Sequence, residues 1–494
     1  MDRPNAALEL LRHSLQRHPD KTAYICGEDK ISYRELDAAG KGFAALLMRE
    51  GIAAGDRVVL ALPDCIAFPV ALLGCLLTGA VAVMAGTEQT PENLQHILAD
   101  SQARLLVRTE AAEMVGGDAV RPLLCDRRGP LTPVPSDEFN SPFRPSEDAF
   151  AFMLYSSGST GRLKGIPHRH NSLLLPCQLV GEQVFGLRND DLIFSTSKLS
   201  FGYGLINSFS FPLWFGATAL LHADRTEIGA VLELIERHRP SVFFSVPTVY
   251  AQMILAWSEP APQLPLRLCC SAGEALPALL FEEWRYLTGL EILDGIGASE
   301  LSHHFISNRP GQALAGSVGC VVPGYRVKLV DADGREVPEG EEGDLLVSGG
   351  TQAPCYWNLP ELTCRTMLPN GFIRTGDIFL QRNGHYYYRG RRDDMIKVDA
   401  RWVAPAQVEA VLLEHPAVAE CAVAAVTVGP LVRPGAFLVL VPGWTWSPAL
   451  VRELRDRFRS RLPEYMHPAR FRVLGRLPRT ATGKIQRYRL RQLT

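Results

Sequence analysis

Tyr155-Ser-Ser-Gly-Ser-Thr-Gly-Arg-Leu-Lys-Gly165 follows the apolar run Ala149-Phe-Ala-Phe-Met-Leu154, and the reading of this junction decides the fold. The run reads as a short buried strand. The eleven residues after it hold four Ser or Thr hydroxyls, three glycines and two cations, the composition of a loop that wraps phosphate. Glycine lets backbone N–H groups approach an anion with no Cβ in the way, hydroxyls add donors, and Arg162 or Lys164 adds charge. Gly158 is not followed at the required spacing by Gly-Lys-Ser/Thr, so this is not a Walker loop. A flexible Ser/Gly linker has a similar composition, but linkers rarely follow a buried strand so closely.

Upstream of the loop, strands and helices alternate. Thr22-Ala-Tyr-Ile25 reads as a strand, Ser32-Tyr-Arg-Glu35 opens a helix as a capping box, and Arg57-Val-Val-Leu-Ala61 is the next strand. Such alternation builds a parallel sheet covered by helices. Asn5 is expected to cap a first helix with Leu8, Leu11 and Leu15 on one face, and no charged-then-apolar leader precedes it, so a cytoplasmic protein is expected. Ile66 to Gly86 carries no charge over nearly a membrane span, but Pro69, Gly74, Thr78 and Gly79 interrupt it. A buried helix running into the buried strand Ala80-Val-Ala-Val-Met84 explains it better, and no membrane partner is expected. Residues 126–148, rich in Pro, Ser and Asp, read as a surface crossing.

The whole chain sets further bounds. Its 494 residues exceed one core, so a large domain with a smaller partner is expected. The 51 basic residues nearly balance 53 acidic ones, which removes any global charge argument for nucleic acid. Eleven cysteines without a C-x-x-C pair read as reduced, mostly buried thiols.

Downstream lie more segments with chemistry in them. Ser197-Lys-Leu-Ser-Phe-Gly-Tyr-Gly-Leu-Ile-Asn-Ser-Phe-Ser-Phe-Pro-Leu-Trp-Phe-Gly-Ala217 sets aromatics among glycines. Core packing around a helix start is the common use of such residues. The close glycines favour a flat slot, since an aromatic ligand needs one wall without side chains. Val242-Phe-Phe-Ser-Val-Pro247 reads as a buried strand ending in a turn. Leu266-Arg-Leu-Cys-Cys-Ser-Ala-Gly-Glu-Ala275 is strand then glycine loop, and Leu293-Asp-Gly-Ile-Gly-Ala-Ser-Glu300 ends in a carboxylate. Gly343-Asp-Leu-Leu-Val-Ser-Gly349, Arg374-Thr-Gly-Asp377, Tyr388-Arg-Gly-Arg-Arg-Asp-Asp-Met-Ile-Lys397 and Pro478-Arg-Thr-Ala-Thr-Gly-Lys-Ile485 follow.

In this order, over more than three hundred residues, the segments resemble the signatures of the adenylate-forming superfamily: acyl- and aryl-CoA ligases, peptide-synthetase adenylation domains and luciferases. The resemblance implies an α/β fold, with a large N-terminal domain (1–392) of parallel-rich sheets covered by helices and a small mobile α+β C-terminal domain (393–494). It implies ATP, Mg2+ and coenzyme A as cofactors. On it, Ser157, Thr160 and Lys164 bind phosphate, and Gly273, Glu274 and Ala275 lie against adenine. Asp294 and Gly295 begin the acidic signature in which Ser299 meets phosphate and Glu300 holds Mg2+. Asp377 accepts the ribose hydroxyls, Arg391 contacts the nucleotide, Asp393 absorbs the hinge rotation, and Lys484 is the catalytic lysine. The family usually has an aromatic at the Ile296 position and Thr at the Ser299 position, and both changes keep the needed surface or hydroxyl.

The aromatic segment resembles benzoate-CoA ligases, which implies a small aromatic acid bound by Phe201, Gly202, Tyr203, Gly297, His303 and His304. His303 matches a histidine of those ligases, whereas His304 stands where an apolar residue is more usual. An extra imidazole could hydrogen-bond an ortho amine or hydroxyl, so 2-aminobenzoate (anthranilate) is expected first and 2-hydroxybenzoate next. The other reading has His304 turned away, because neighbours on a strand face opposite sides. Ala400 replaces the usual Gly at the pantetheine tunnel, which leaves the thiol acceptor more open than the adenylate. A carrier-protein phosphopantetheine arm is the alternative acceptor, and an inactive nucleotide-binding homologue is the alternative of another class. From Val451 on, twelve Arg and one Lys face three acids, a solvated basic helix or a surface for the phosphates of coenzyme A.

Overall fold

A computed structural model describes residues 4–87, 89–109, 120–157, 162–224, 227–257, 263–399, 401–429, 431–479 and 485–493. The apolar run before the quoted loop belongs to the strand Phe150–Ser157, which pairs antiparallel with Leu163–Arg169 at the edge of a six-stranded sheet. The sheet continues inward through Val81–Met84, Arg57–Ala61, Leu105–Thr109 and Arg121–Cys125, all parallel. Every residue of Val81–Met84 is buried, as a sheet covered on both faces requires. The uncharged stretch before it is the helix Ala67–Thr78, buried along its length and stopped at Gly79, whose φ of 78° gives the left-handed cap. No helix among the described residues is long and apolar enough to cross a membrane.

A second sheet has nine strands. Six in its centre run parallel, in the order Ile292–Gly297, Leu268–Ser271, Val242–Ser245, Leu192–Ser195, Thr218–Leu221 and Thr22–Cys26. Antiparallel strands close its edges, Asp29–Ser32 on one side and His304–Ser307 with Cys320–Val321 on the other. A four-stranded antiparallel sheet, Arg326–Val330, Glu342–Ser348, Ile373–Arg382 and His385–Arg391, follows. Beyond it, Val418–Val428, Leu431–Leu440 and Arg470–Val473 form a smaller sheet flanked by the helices Pro405–Leu413 and Pro448–Arg461. One apolar cluster reaches from Ala6 to Tyr386, and separate ones serve Ile396–Met466 and Ala422–Leu490. The fold is thus α/β, with large parallel-rich sheets covered by helices and a smaller C-terminal unit.

Local signals explain several boundaries. Asn5 caps Ala6–Arg17 by accepting from the Ala7 N–H at 3.0 Å. Ser32 and Glu35 form the expected capping box on Tyr33–Arg49. The face expected on the first helix is rotated. Leu8 is 42% exposed, and Ala6, Ala7, Leu10, Leu11 and Ser14 are buried, because the helix wedges between several neighbours instead of lying on one. The turn expected after Val242–Ser245 is the start of the helix Pro247–Ala256, where proline suits a first turn.

The segment 197–217 needs its glycines for contact with backbone. A Cβ on Gly204 would lie 2.1 Å from the Lys198 carbonyl oxygen and 2.3 Å from that of Ser197. One on Gly202 would meet the Ser302 oxygen at 3.1 Å. The space expected for a flat slot at these two positions is therefore filled by neighbouring chain. Gly204→Ala should force Gly202–Leu205 to shift and lower the melting temperature by several degrees. Gly229→Ala, whose new methyl would meet nothing within 4 Å, should leave it unchanged or raise it. Equal melting temperatures for Gly204→Ala and the wild type would refute the packing role.

Candidate functional site

Three segments expected to carry chemistry begin at the C-terminal ends of parallel strands: the loop after Phe150–Ser157, the glycine turn after Leu268–Ser271, and the acidic signature at the end of Ile292–Gly297. Ligands of open α/β sheets bind at such strand ends. Lys164 lies on the strand returning from the loop and points its Nζ at Glu300 Oε1, 3.2 Å away. Tyr356 donates its hydroxyl to the same oxygen at 2.5 Å, and Lys164 Nζ lies 4.0 Å from the centre of its ring. Burial alone would raise the Glu300 carboxyl, but the Lys164 charge and the Tyr356 hydroxyl outweigh it and hold the group below its ordinary value. Glu300 therefore stands ionised with a second oxygen to offer.

The turn that presents Glu300 is held from below. His168 lies between the ring of Phe152, stacked at 4.8 Å, and the turn, where Nε2 donates to the Ser299 carbonyl at 2.8 Å. With Nε2 protonated, Nδ1 accepts from the Ser302 hydroxyl at 3.2 Å. Ser302 has φ 65°, a costly conformation for a residue with a side chain, so the hydrogen bond and the Ser299–Leu301 turn fix strained backbone beside the carboxylate.

Asp377 follows Gly376, whose φ of 76° kinks the strand, and its Oδ1 accepts from Arg391 Nη1 at 3.0 Å. Asp377 is 6% exposed. Arg391 lies within electrostatic reach of Glu300, and the Asp377 carboxylate raises its affinity for the proton. Gly273 takes φ 88°. Glu274 after it accepts from the Thr248 hydroxyl at 2.6 Å and from Arg479 Nη1 at 2.7 Å, while Arg479 Nη2 reaches Glu420 at 2.8 Å. Phe201 opens the short helix Gly202–Leu205, and Ser299 begins the 3-10 turn Ser299–Leu301. Asp294 is buried, and burial pushes its carboxyl up to about 8. Asp393 sits in a single 3-10 turn, Arg392–Asp394, between strands.

The structure thus joins Lys164 with Glu300, Asp377 with Arg391, and Tyr203 with His303 and His304, whose rings both stack on it at 5.4 Å. Ser157 ends its strand. Thr160, Ala400 and Lys484 lie outside the described residues. Tyr356, His168, Thr248 and Arg479 were missed by sequence reasoning, since none belongs to a signature through its own chemistry. Asn207, also missed, follows Tyr203 by four residues, and helical spacing could have flagged it.

The donor set can be tested against Mg2+. That ion takes oxygen ligands, commonly one or two carboxylates with phosphates and water completing the shell. No group of three His, Cys, Asp or Glu side chains among the described residues could hold a metal. Glu300 is a lone ionised carboxylate beside a cation, which fits an ion shared with substrate phosphates.

The chain is similar to known proteins over nearly its whole length. The family model described as AMP-binding enzyme matches residues 11–357, and that described as AMP-binding enzyme C-terminal domain matches 407–484. A benzoate–CoA ligase of Thauera aromatica is 40% identical over 99% of this chain and 96% of its own. The crystal structure of the anthranilate CoA ligase AuaEII in complex with anthranoyl-AMP is similar with TM-score 0.93 and 34% identity, covering 99% of this chain and 97% of that one. A benzoate CoA ligase from Burkholderia xenovorans LB400 is similar with TM-score 0.92 and 38% identity over 99% of this chain and 100% of that one.

Four buried imidazoles, three of them near the site and His170 at the start of the first helix, set a pH dependence. Burial lowers His168 and His170 to about 4, His304 to about 3, and His303 well below its ordinary value. On unfolding, each regains an ordinary value of about 6.5. Between these limits the unfolded chain binds more protons, so the stabilisation is full above about pH 6.5 and is lost as pH falls through 6.5 toward 4. The urea midpoint should be clearly lower at pH 5 than at pH 7.5, and His304→Ile should shrink the difference. Asp294, protonated in the fold and ionised when unfolded, works in the opposite sense, so His304→Ile is the deciding measurement: a pH difference that it leaves unchanged would show that His304 is not held neutral.

Proposed function

The chain belongs to the AMP-binding enzyme family, and from that premise we propose that it is an ATP-dependent aryl-CoA ligase acting on a small aromatic acid of benzoate size, with 2-aminobenzoate the leading candidate. The observation that carries this reading is the ionised Glu300 fixed by Lys164 and Tyr356 at a parallel-sheet edge, next to a Ser- and Gly-rich loop. The similarity to benzoate and anthranilate ligases along nearly the whole chain supports the substrate class.

A carboxylate is a poor acyl donor because its leaving group would be oxide. In the first half-reaction the acid's oxygen attacks the α-phosphorus of ATP, a new P–O bond forms, and the bond to pyrophosphate breaks. The negative charge that builds up lies on phosphate oxygens, so the work falls to cations and donors more than to a general base. Ser157, Thr160 and Lys164 hold the phosphates, and Lys484 neutralises charge at the reacting phosphoryl. Glu300 would hold Mg2+, which supplies Lewis-acid stabilisation of the phosphates when bound. Ser299 donates to phosphate, Asp377 accepts the ribose hydroxyls, and Gly273, Glu274 and Ala275 with Asp294 and Gly295 line the adenine side. Arg391 offers its remaining donors to the nucleotide.

In the second half-reaction the thiol of coenzyme A gives up its proton to solvent and attacks the acyl carbon, a C–S bond forms, and the acyl C–O bond breaks as AMP leaves with the bonding pair. Residues 393–494 turn about Asp393 between the two steps, withdrawing Lys484 and admitting the thiol. Coenzyme A, used in the cytoplasm, is the acceptor in this reading. A pyrophosphate-release screen over benzoate, its amino and hydroxy derivatives and short fatty acids, run with and without coenzyme A, tests it. Release with aromatic acids and thioester formation only with coenzyme A are expected. Adenylate that accumulates in its presence would point to a carrier protein, and no release with any acid to a silent homologue.

Lys484→Ala should lower adenylate formation by a hundredfold or more, about the cost of losing a cation at the transition state, and largely spare thioester formation from synthetic aryl-AMP. Equal losses in both half-reactions would remove Lys484 from its role. Asp393→Pro should do the reverse, because proline fixes φ where the rotation must occur. Normal thioester formation by this variant would place the hinge elsewhere.

A further inference from the structure

The pair His303-His304 does not alternate across its strand. The strand His304–Ser307 begins only after Ser302 has turned through positive φ, and a register shift opposite Ile296 and Gly297 interrupts the pairing. Both imidazoles consequently come to the same side, 4.6 Å apart, and both face the ring of Tyr203. They are 2% and 0% exposed. Phe185 and Phe211 meet the imidazoles edge to face, and Phe244 meets Tyr203 in the same way.

This aromatic nest holds polar atoms with nothing to bond. His303 Nε2 donates to Asn207 Oδ1 at 3.0 Å. His303 Nδ1 and both nitrogens of His304 are buried without a hydrogen-bond partner, and the Tyr203 hydroxyl and Asn207 Nδ2 have only each other nearby. Native proteins leave only a few buried polar groups unsatisfied per hundred residues, so several at one spot mark a place where something else completes them. Burial keeps the imidazoles uncharged, and a neutral imidazole has one donor and one acceptor. His303 spends its donor on Asn207, whereas His304 has both free. Gly295 makes room for it, since a Cβ there would lie 2.7 Å from His304 Nδ1.

We infer that the aryl acid carries an uncharged amino or hydroxyl group on its ring and that His304 is the residue that recognises it by hydrogen bonding. The inference rests on the aryl-CoA ligase reading and deepens it. An amine or hydroxyl can serve either free nitrogen of His304, and plain benzoate can serve neither. A ring charged at the substituent would meet no opposite charge, because His303, His304, Asn207 and Tyr203 are all neutral here. The substituent therefore discriminates by leaving groups paired or unpaired, the kind of contact that separates close analogues well.

The test measures kcat/KM for pyrophosphate release with benzoate and with the 2-, 3- and 4-amino and hydroxy acids, in the wild type, His304→Ile and His304→Gln. In the wild type at least one substituted acid, 2-aminobenzoate first, should exceed benzoate by on the order of tenfold or more. His304→Ile should bring that ratio close to one while benzoate is still turned over, and His304→Gln, which keeps a donor and an acceptor, should recover part of it. Benzoate equal to or better than every substituted acid in the wild type overturns the inference without any variant. An unchanged ratio in a folded His304→Ile overturns it as well, as does a His304→Gln ratio no higher than that of His304→Ile, and either leaves the nest to bound water. Failure of the wild type to turn over any aromatic acid would instead overturn the ligase reading, which keeps the two failures distinct.

Discussion

The contact on which the rest of the site depends is the Lys164–Glu300 ion pair. Lys164 belongs to the six-stranded sheet and Glu300 to the end of a strand of the nine-stranded one, so a single charge pair spans two separately built layers. With side chains 18% and 15% exposed, both groups have lost much of their hydration, and removing either would strand the other. Glu300 is held by two further groups: Tyr356 fixes the carboxylate from one side, and His168 fixes the turn behind it. The pair therefore requires that the two sheets be set against one another first. The large common core from Ala6 to Tyr386 does this by burying apolar surface of both.

Much of the fold was legible because it rests on short-range rules. Alternating strand and helix patterns, the Ser32–Glu35 box and the Asn5 cap are decided by residues a few positions apart, and the structure has them where the sequence places them. Leu8 was not legible. Which side of an amphipathic helix is buried depends on the number of neighbours, and those come from distant chain. The glycines of 202–204 misled for a related reason: a missing Cβ signals close approach, but not whether ligand or backbone does the approaching. His303 and His304 show the limit most clearly. The rule of alternating faces holds inside a strand, and these two residues straddle its first position next to a bulge.

The basic C-terminus shows how composition conceals commitment. Read as a run, its arginines are a solvated or phosphate-binding surface. In the fold, Arg479 bridges Glu274 and Glu420, Arg487 is bonded to Glu409 at 2.7 Å, and Arg491 reaches Asp394 at 3.2 Å. Burial would depress the charge on Arg487, yet the carboxylates around it more than compensate. These side chains serve to hold the small unit together and to join it to the large one. The arginines of Pro448–Arg461 remain more exposed on the face opposite Leu450, Leu454 and Phe458.

The same pairs bear on where a rotation between half-reactions could occur. Arg391 is held by Asp377 and Arg392 by Asp344, both acids on the strands of the four-stranded sheet. On the other side, Asp394 is held by Arg487 and Arg491 from the C-terminal helix. Ion pairs thus tie the chain to one body up to Arg392 and to the other from Asp394 onward. Asp393 is left between them, its carbonyl touched by Arg491 at 3.1 Å. Backbone torsion at that residue would change the relation of the two bodies while sparing the pairs of Arg391, Arg392 and Asp394, and would part Arg479 from Glu274. If the two bodies rotate as proposed, a pivot one residue earlier or later would disturb the Arg392–Asp344 or the Asp394–Arg491 pair, each worth up to about 1 kcal/mol at such exposure, whereas a pivot at Asp393 leaves both in place.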